Sequence, residues 1–347
     1  MMTELSPTLD EWRKLYEAAI RMKEIAPWEW MTEADIFGVQ DPETDDLGFV
    51  SVMGMLGEHF ALAVYLGAEG LYSFWGFQSL VDAAPDEVLS EVLIGLLHLQ
   101  ASFEDRNELR QKDRDLIKQL GFKFRGRQAW PMFRSYRPGF YPWYLEAWEV
   151  RFLAYALEQA VEVSLRFKED STILDTESDD SYLVRAPHKE EGTLVWDDRV
   201  VTVPPPEPKP ISIAIDVDVL EAVKRLPLSR LLLEMDCFTL PTRIAERGAR
   251  PYFPYMLLAI DSNSGLILGT ELLKPEPSLE AMWGSLPSTL VSQFARLGIL
   301  PSQISVRSPI LFQLLQPLAE ELGFELKATP VLPSLDQARE SLLQMFA

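Results

Sequence analysis

The chain has 347 residues, room for two domains of ordinary size, and its 47% hydrophobic content is that of a folded protein rather than a disordered one. Acidic residues outnumber basic ones by 53 to 32, a net charge of −21, with 38 acidic and 21 basic residues in 1–210 against 15 and 11 in 211–347. Such a field repels nucleic acid and anionic lipid at long range, and generic nucleic-acid binding is disfavoured. No apolar run approaches the roughly 20 residues of a membrane helix. Residues 1–10 lack the basic-then-apolar pattern of a secretory leader. The single cysteine, Cys237, excludes an internal disulfide and a cysteine-rich zinc site. A cytoplasmic protein without a membrane partner is the expectation.

The first predicted element is a helix. Thr8 and Glu11 have the spacing of a capping box, and Leu9, Trp12, Leu15, Tyr16 and Ala19 make one apolar face. Strands are expected over 35–39, 48–55 and 59–66, with Pro42, Gly57 and Gly67 as turn residues between or after them. A strand over 96–103 precedes a charged helix over 109–120 that Gly121 stops. An aromatic segment, 130–144, then leads into a long helix near 145–167. This mixture predicts an α+β domain over 1–167. From 168 the composition turns sharply acidic, and two short strands, 182–186 and 194–203, are expected to form a hairpin within that stretch. The run Pro204-Pro205-Pro206-Glu207-Pro208-Lys209-Pro210 cannot donate to a hydrogen-bond ladder and favours an extended spacer. Residues 168–210 are therefore read as an acidic hairpin and linker, and 211–347 as a second domain.

Beyond the linker the order of elements is plain. Strands are predicted over 231–238, 255–260 and 266–272, the last two joined by Asp261-Ser262-Asn263-Ser264-Gly265. A helix over 278–297 ends at Gly298, a strand over 303–306 precedes a helix over 309–322 ending at Gly323, and a strand over 324–329 precedes a helix from about Ser334. The order β-β-β-α-β-α-β-α predicts three antiparallel strands followed by parallel additions through helices, an α/β domain of ribonuclease H-like type with a five-stranded mixed sheet.

Over roughly 231–346 the residues resemble the catalytic core of integrases and transposases. Asp236 lies inside the first strand, in Leu232-Leu233-Glu234-Met235-Asp236, where that family places its first metal-binding aspartate. Ala259-Ile260-Asp261 with Ser264 resembles its second-strand ending, Leu297-Gly298 and Pro301 resemble its helix-to-strand passage, and Pro330, Pro333, Asp336 and Glu340 keep the spacing of its last catalytic segment. The resemblance implies Glu234, Asp236 and Glu340 as relics of a Mg²⁺ site. It fails in the middle. Where the family has an aspartate after the fourth strand this chain reads Arg307-Ser308-Pro309, and no Asp or Glu occurs from Ala281 to Ala319. Two-metal phosphoryl transfer needs several carboxylates around ions about 4 Å apart, and Arg307 would repel such ions. The whole chain also resembles bacterial proteins of unassigned activity that join such an N-terminal domain to an integrase-like one.

Glu234 and Asp236 share one side of their strand and read either as relics of a metal site or as solvated residues on an edge or polar face. Glu340 on its helix reads more simply as a surface carboxylate, and Cys237 as a small core residue. His59, His98 and His188 have no metal-ligand spacing; the first two lie in predicted apolar strands and read as core histidines. No phosphate-binding loop, dinucleotide fingerprint or nucleophile elbow occurs.

One stretch stands against the acidic background. Residues 118–144 contain Lys118, Lys123, Arg125, Arg127, Arg134 and Arg137 with no acid, interleaved with aromatics including Phe122, Phe124, Trp130 and Tyr136. Cations beside aromatic faces bind phosphate, stacked bases or an acidic segment. The same pattern also arises from amphipathic strands whose aromatics are core. A docking of this stretch against the chain's own acidic segment, 175–198, is the economical version of the binding reading.

The expectation is a non-catalytic binding or scaffold protein without a cofactor, its partner open, with a protein as one candidate. The alternatives are a diverged Mg²⁺-dependent nuclease using Glu234, Asp236, Glu340 and Glu280, and anion or nucleic-acid binding through the basic-aromatic stretch.

Overall fold

The computed structural model describes residues 6–81, 83 and 92–344, so half of the stretch read at 1–10 lies outside the described residues. The chain divides into two units, Met1–Pro138 with Pro142–Glu207, and Gly139–Tyr141 with Pro208–Ala347. Both are mixed α/β structures, each built on its own mixed sheet.

In the first unit, helix α1 (Leu9–Ile25) starts at a capping box in which Thr8 and Glu11 satisfy each other's backbone N–H groups. Strands β1 (Phe37–Gln40), β2 (Leu47–Met53) and β3 (Ala61–Leu66) follow, then α2 (Gly67–Leu80), β4 (His98–Glu104), α3 (Gln111–Leu120), β5 (Trp130–Tyr136), α4 (Ala147–Glu169), β6 (Ser181–Glu190) and β7 (Thr193–Thr202). The strands form one sheet in the order β5-β4-β3-β2-β1-β6-β7, antiparallel throughout except for the parallel pair β1 and β6. Helices α1 and α4 bring Leu15, Tyr16, Ala19, Leu153, Leu157 and Ala160 into the core on one face of the sheet. Leu71 and Phe74 of α2 join Phe49, Tyr65 and Tyr182 in a second core cluster.

Three expectations are corrected. Gly67 opens a helix rather than only ending a strand. Apolar residues surround α2, so it has no stripe at helical spacing, and Gly70 within it lies where a Cβ would stand 2.7 Å from the Leu97 carbonyl oxygen. His59 precedes β3 and is exposed, so only His98 is a core histidine. The acidic hairpin is longer than expected and is part of the first unit's sheet, through β1 and β6. Pro187 does not break β6. The N–H of Val203 bonds the Asp180 carbonyl, so hydrogen-bonded pairs alternate to put Pro187 opposite Trp196 in a non-bonded pair. Its missing N–H faces the β1 side, where the pairing has already ended at Arg185.

In the second unit, a short helix α5 (Val217–Val223) precedes β8 (Leu232–Thr239), β9 (Tyr255–Asp261), β10 (Ile267–Leu273), α6 (Leu279–Leu297), β11 (Gln303–Val306), α7 (Pro309–Leu322), β12 (Glu325–Ala328) and α8 (Pro333–Leu343). The sheet order is β10-β9-β8-β11-β12; β8, β9 and β10 are antiparallel, and β11 and β12 add in parallel. Helices α6 and α7 cover one face with Leu286, Leu290, Phe294, Leu311 and Leu315 against Leu233, Met235 and Ile304. Leu335 of α8, with Leu332 just before it, packs on Phe238, Leu258 and Ile260 of the other face. Gly298 and Gly323 end α6 and α7 at φ 70° and 77°, the left-handed cap that favours glycine.

Candidate functional site

The alternation of β8 sends Leu233, Met235 and Cys237 to the α6–α7 face and Glu234 and Asp236 to the α8 face. Burial pushes the Cys237 thiol far up, as suits a core residue. Both carboxylates are buried, 7% and 5% exposed, and both are satisfied from within the protein. Glu234 Oε2 accepts the backbone N–H of Leu335 at 2.8 Å, in the first turn of α8, where a helix favours negative charge. Asp236 Oδ1 accepts the N–H of Cys237 at 2.9 Å.

The remaining oxygen of Asp236 meets Arg307. This residue follows β11, the strand parallel to β8, and its side chain reaches across: Nε and Nη2 donate to Asp236 Oδ2 at 3.1 and 2.7 Å. Its Nη1 donates to Asp336 Oδ1 at 2.9 Å. One guanidinium thus bridges a carboxylate of the central strand and a carboxylate of α8. Asp336 Oδ2 also accepts the N–H of Leu332 at 3.4 Å, which ties the start of α8 to the same arrangement. Arg307 supplies the positive charge that faces Asp236 and Asp336.

Glu340 stands one turn beyond Asp336, exposed, on a cleft of about 420 Å³ shared with Asp336, Arg339, Leu343 and Gln344. Among the described residues, no group of three or more His, Cys, Asp or Glu side chains is placed to hold a metal ion, so Glu234, Asp236 and Glu340 are not brought together as a ligand set. Glu280, in the first turn of α6, is in no such group either. Of the two readings of Glu234 and Asp236, solvation is overturned: both are enclosed and hydrogen-bonded. Sequence reasoning noticed Arg307 as standing in place of an aspartate and as a charge that would repel metal ions, not as the partner of Asp236. The signal for its actual role was an arginine placed after the strand next to the one carrying Asp236.

The basic-aromatic stretch separates into two groups. Arg134 is 5% exposed and donates to both oxygens of Asp113, Nη1 to Oδ1 at 2.9 Å and Nη2 to Oδ2 at 2.7 Å. Arg137 pairs with Glu146 and, at 3.2 Å, with Glu149, and Tyr136 stacks on His98 at 4.1 Å between ring centres. These three residues are architecture, which corrects their placement in a binding patch. Phe122 and Phe124 stack on Tyr16, so their rings also face the core. Lys118, Lys123, Arg125 and Arg127 are exposed, with Arg127 3.9 Å from Asp105. Strand pairing does not join the stretch to the acidic segment. β5 and β7 are opposite edges of the seven-stranded sheet, roughly 29 Å apart at about 4.8 Å per strand. Asp198 of the acidic segment is met by Arg166 of α4 and Arg185 of β6, the latter at 2.5 Å.

These features describe a two-unit mixed α/β protein in which one arginine bridges a carboxylate of the second sheet and a carboxylate of α8. Residues 12–185, half of the chain, match the family model of a domain of unknown function, DUF7309, and the chain belongs to that family. Residues 219–343 match a second model, a domain of unknown function, DUF6930. Among solved structures, the catalytic core domain of BIV integrase is similar at 16% identity, over 33% of this chain and 68% of that one, with a TM-score of 0.24. No curated protein matches the chain. Among the described residues, no helix is long and apolar enough to cross a membrane.

Proposed function

We propose that residues 211–347 form a degenerate ribonuclease H-like domain and that the protein acts as a non-catalytic binding or scaffold protein. The order of elements and the sheet order β10-β9-β8-β11-β12 support the fold reading. The observation that carries the functional reading is the guanidinium of Arg307 between Asp236 and Asp336. Metal-assisted phosphoryl transfer needs a clustered carboxylate set with coordination positions open to water and substrate. Here the buried aspartate spends its free oxygen on a cation that belongs to the chain. A divalent ion would have to displace Arg307 and break three charge-assisted hydrogen bonds, which are stronger than neutral ones.

The test is direct. The full chain is assayed on single- and double-stranded DNA and on RNA with Mg²⁺ and with Mn²⁺, and the same ions are titrated calorimetrically. No cleavage and no ion binding that depends on Asp236 are expected. Metal-dependent cleavage that disappears in Asp236→Asn would overturn the reading and restore the nuclease alternative.

A further inference from the structure

Among the described residues, the outer edge of β7 has no strand beside it. β7 is ten residues long and ends the seven-stranded sheet, pairing with β6 on one side and, among the described residues, with no strand on the other. An edge of this length presents a row of free N–H and C=O groups, a template for another strand. Which residues present them follows from the β6 pairing. Val203 donates its N–H to Asp180, so odd-numbered residues of β7 bond towards β6. Leu194, Trp196, Asp198, Val200 and Thr202 therefore aim their backbone groups outward.

We propose that this edge pairs with the same edge of a second copy, antiparallel about a two-fold axis through Asp198, to make one continuous sheet across a homodimer. A two-fold interface requires a strand complementary to itself, and this one is in that register. The outward hydrogen-bonding residues meet in phase, Trp196 with the partner's Val200 and Leu194 with the partner's Thr202. On the other face Val195 meets the partner's Val201, and Asp197 meets the partner's Arg199. Val200 is 66% exposed and gains cover from an indole across the interface. Asp197 and Arg199 are exposed, and opposite charges across strands are favourable.

The neighbouring in-phase registers fail on charge. Centring the axis on Asp197 sets Asp197 against itself, and centring it on Arg199 sets Arg199 against itself. In the proposed register the self-paired residue is Asp198, and each copy already neutralises it with Arg166 and Arg185 from its own α4 and β6. The arginines that hold the hairpin onto α4 thus also remove the like-charge conflict at the dimer axis.

Sedimentation velocity on the full chain over a wide concentration series, at about 0.15 M salt so that the net charge is screened beyond about 8 Å, is expected to show a reversible monomer–dimer equilibrium. Arg199→Asp sets two aspartate pairs face to face in each dimer and should weaken it about 10- to 100-fold. Asp197→Arg combined with Arg199→Asp exchanges the charges and should restore the dimer. Val200→Pro removes an outward N–H without touching the β6 bonds and should abolish it, while circular dichroism of all variants stays that of the parent. A monomer at every concentration overturns the proposal. So does a dimer indifferent to Arg199→Asp and Val200→Pro, because it must use another surface.

Discussion

Replacing Arg307 by methionine keeps most of the aliphatic volume of the side chain and removes its charge and donors. Asp236, whose side chain is 8% exposed, then keeps only the N–H of Cys237 and loses two hydrogen bonds from a cation. Removing one partner of a buried ion pair costs about 3–5 kcal/mol, because the remaining charge is left desolvated without compensation. Arg307 is 31% exposed, so water can enter the vacated space and reach the carboxylate, which moves the expectation to about 2–4 kcal/mol. Asp336 is 41% exposed, and its lost bond adds little. The second substitution, Asp236→Asn, removes the buried charge and still accepts from Cys237. In the Arg307→Met background it should recover about 1.5–3 kcal/mol, a coupling between residues in contact. A chain of two units need not unfold in one step, so a global midpoint would mix the units. Hydrogen exchange of peptides covering β8 and β11, measured against urea, reads the affected sheet directly. An Arg307→Met protein within about 0.5 kcal/mol of the parent, or a double variant no more stable than the single one, would refute the reasoning.

Arg134→Ala should destabilise the first unit by about 3–5 kcal/mol, seen as a lower thermal midpoint, since it strands Asp113 beside Tyr16. Lys123→Ala with Arg125→Ala, on exposed side chains, should stay within about 0.5 kcal/mol of the parent in the same melt. Burial holds the His98 imidazole down to about 4, against a donor–acceptor contact with Gln100 that acts in the other direction. The unfolded chain therefore takes up a proton below about 6.5 that the folded unit refuses until about 4. The contribution is present in full above pH 6.5 and is lost as pH falls towards 4, by up to about 3 kcal/mol; His98→Phe, which keeps a ring against Tyr136, should flatten urea-unfolding free energies across that window.

The second unit was the more legible half. Each of its strands is bounded by residues that end strands for local reasons, such as the Asp261–Gly265 turn, and its helices α6 and α7 carry serine caps at one end and left-handed glycines at the other. Such signals act within a few residues, so reading along the chain recovers them. In the first unit, α2 was missed because its apolar residues have no single face, and the acidic hairpin was set apart because nothing in its own sequence announces the parallel partner β1.

What the sequence by itself determined was the composition of each element and the side of the strand or helix on which each residue falls: Glu234 with Asp236, Cys237 away from both. What only the tertiary structure decided was the company those residues keep. Arg134 finds Asp113 across 21 residues, and Arg307 finds Asp236 across 71. Periodicity and capping are local energies that a short window contains. Whether a charge is solvated, paired or bridged depends on which distant strand lies beside it, and that is set by how the sheet closes over its cores.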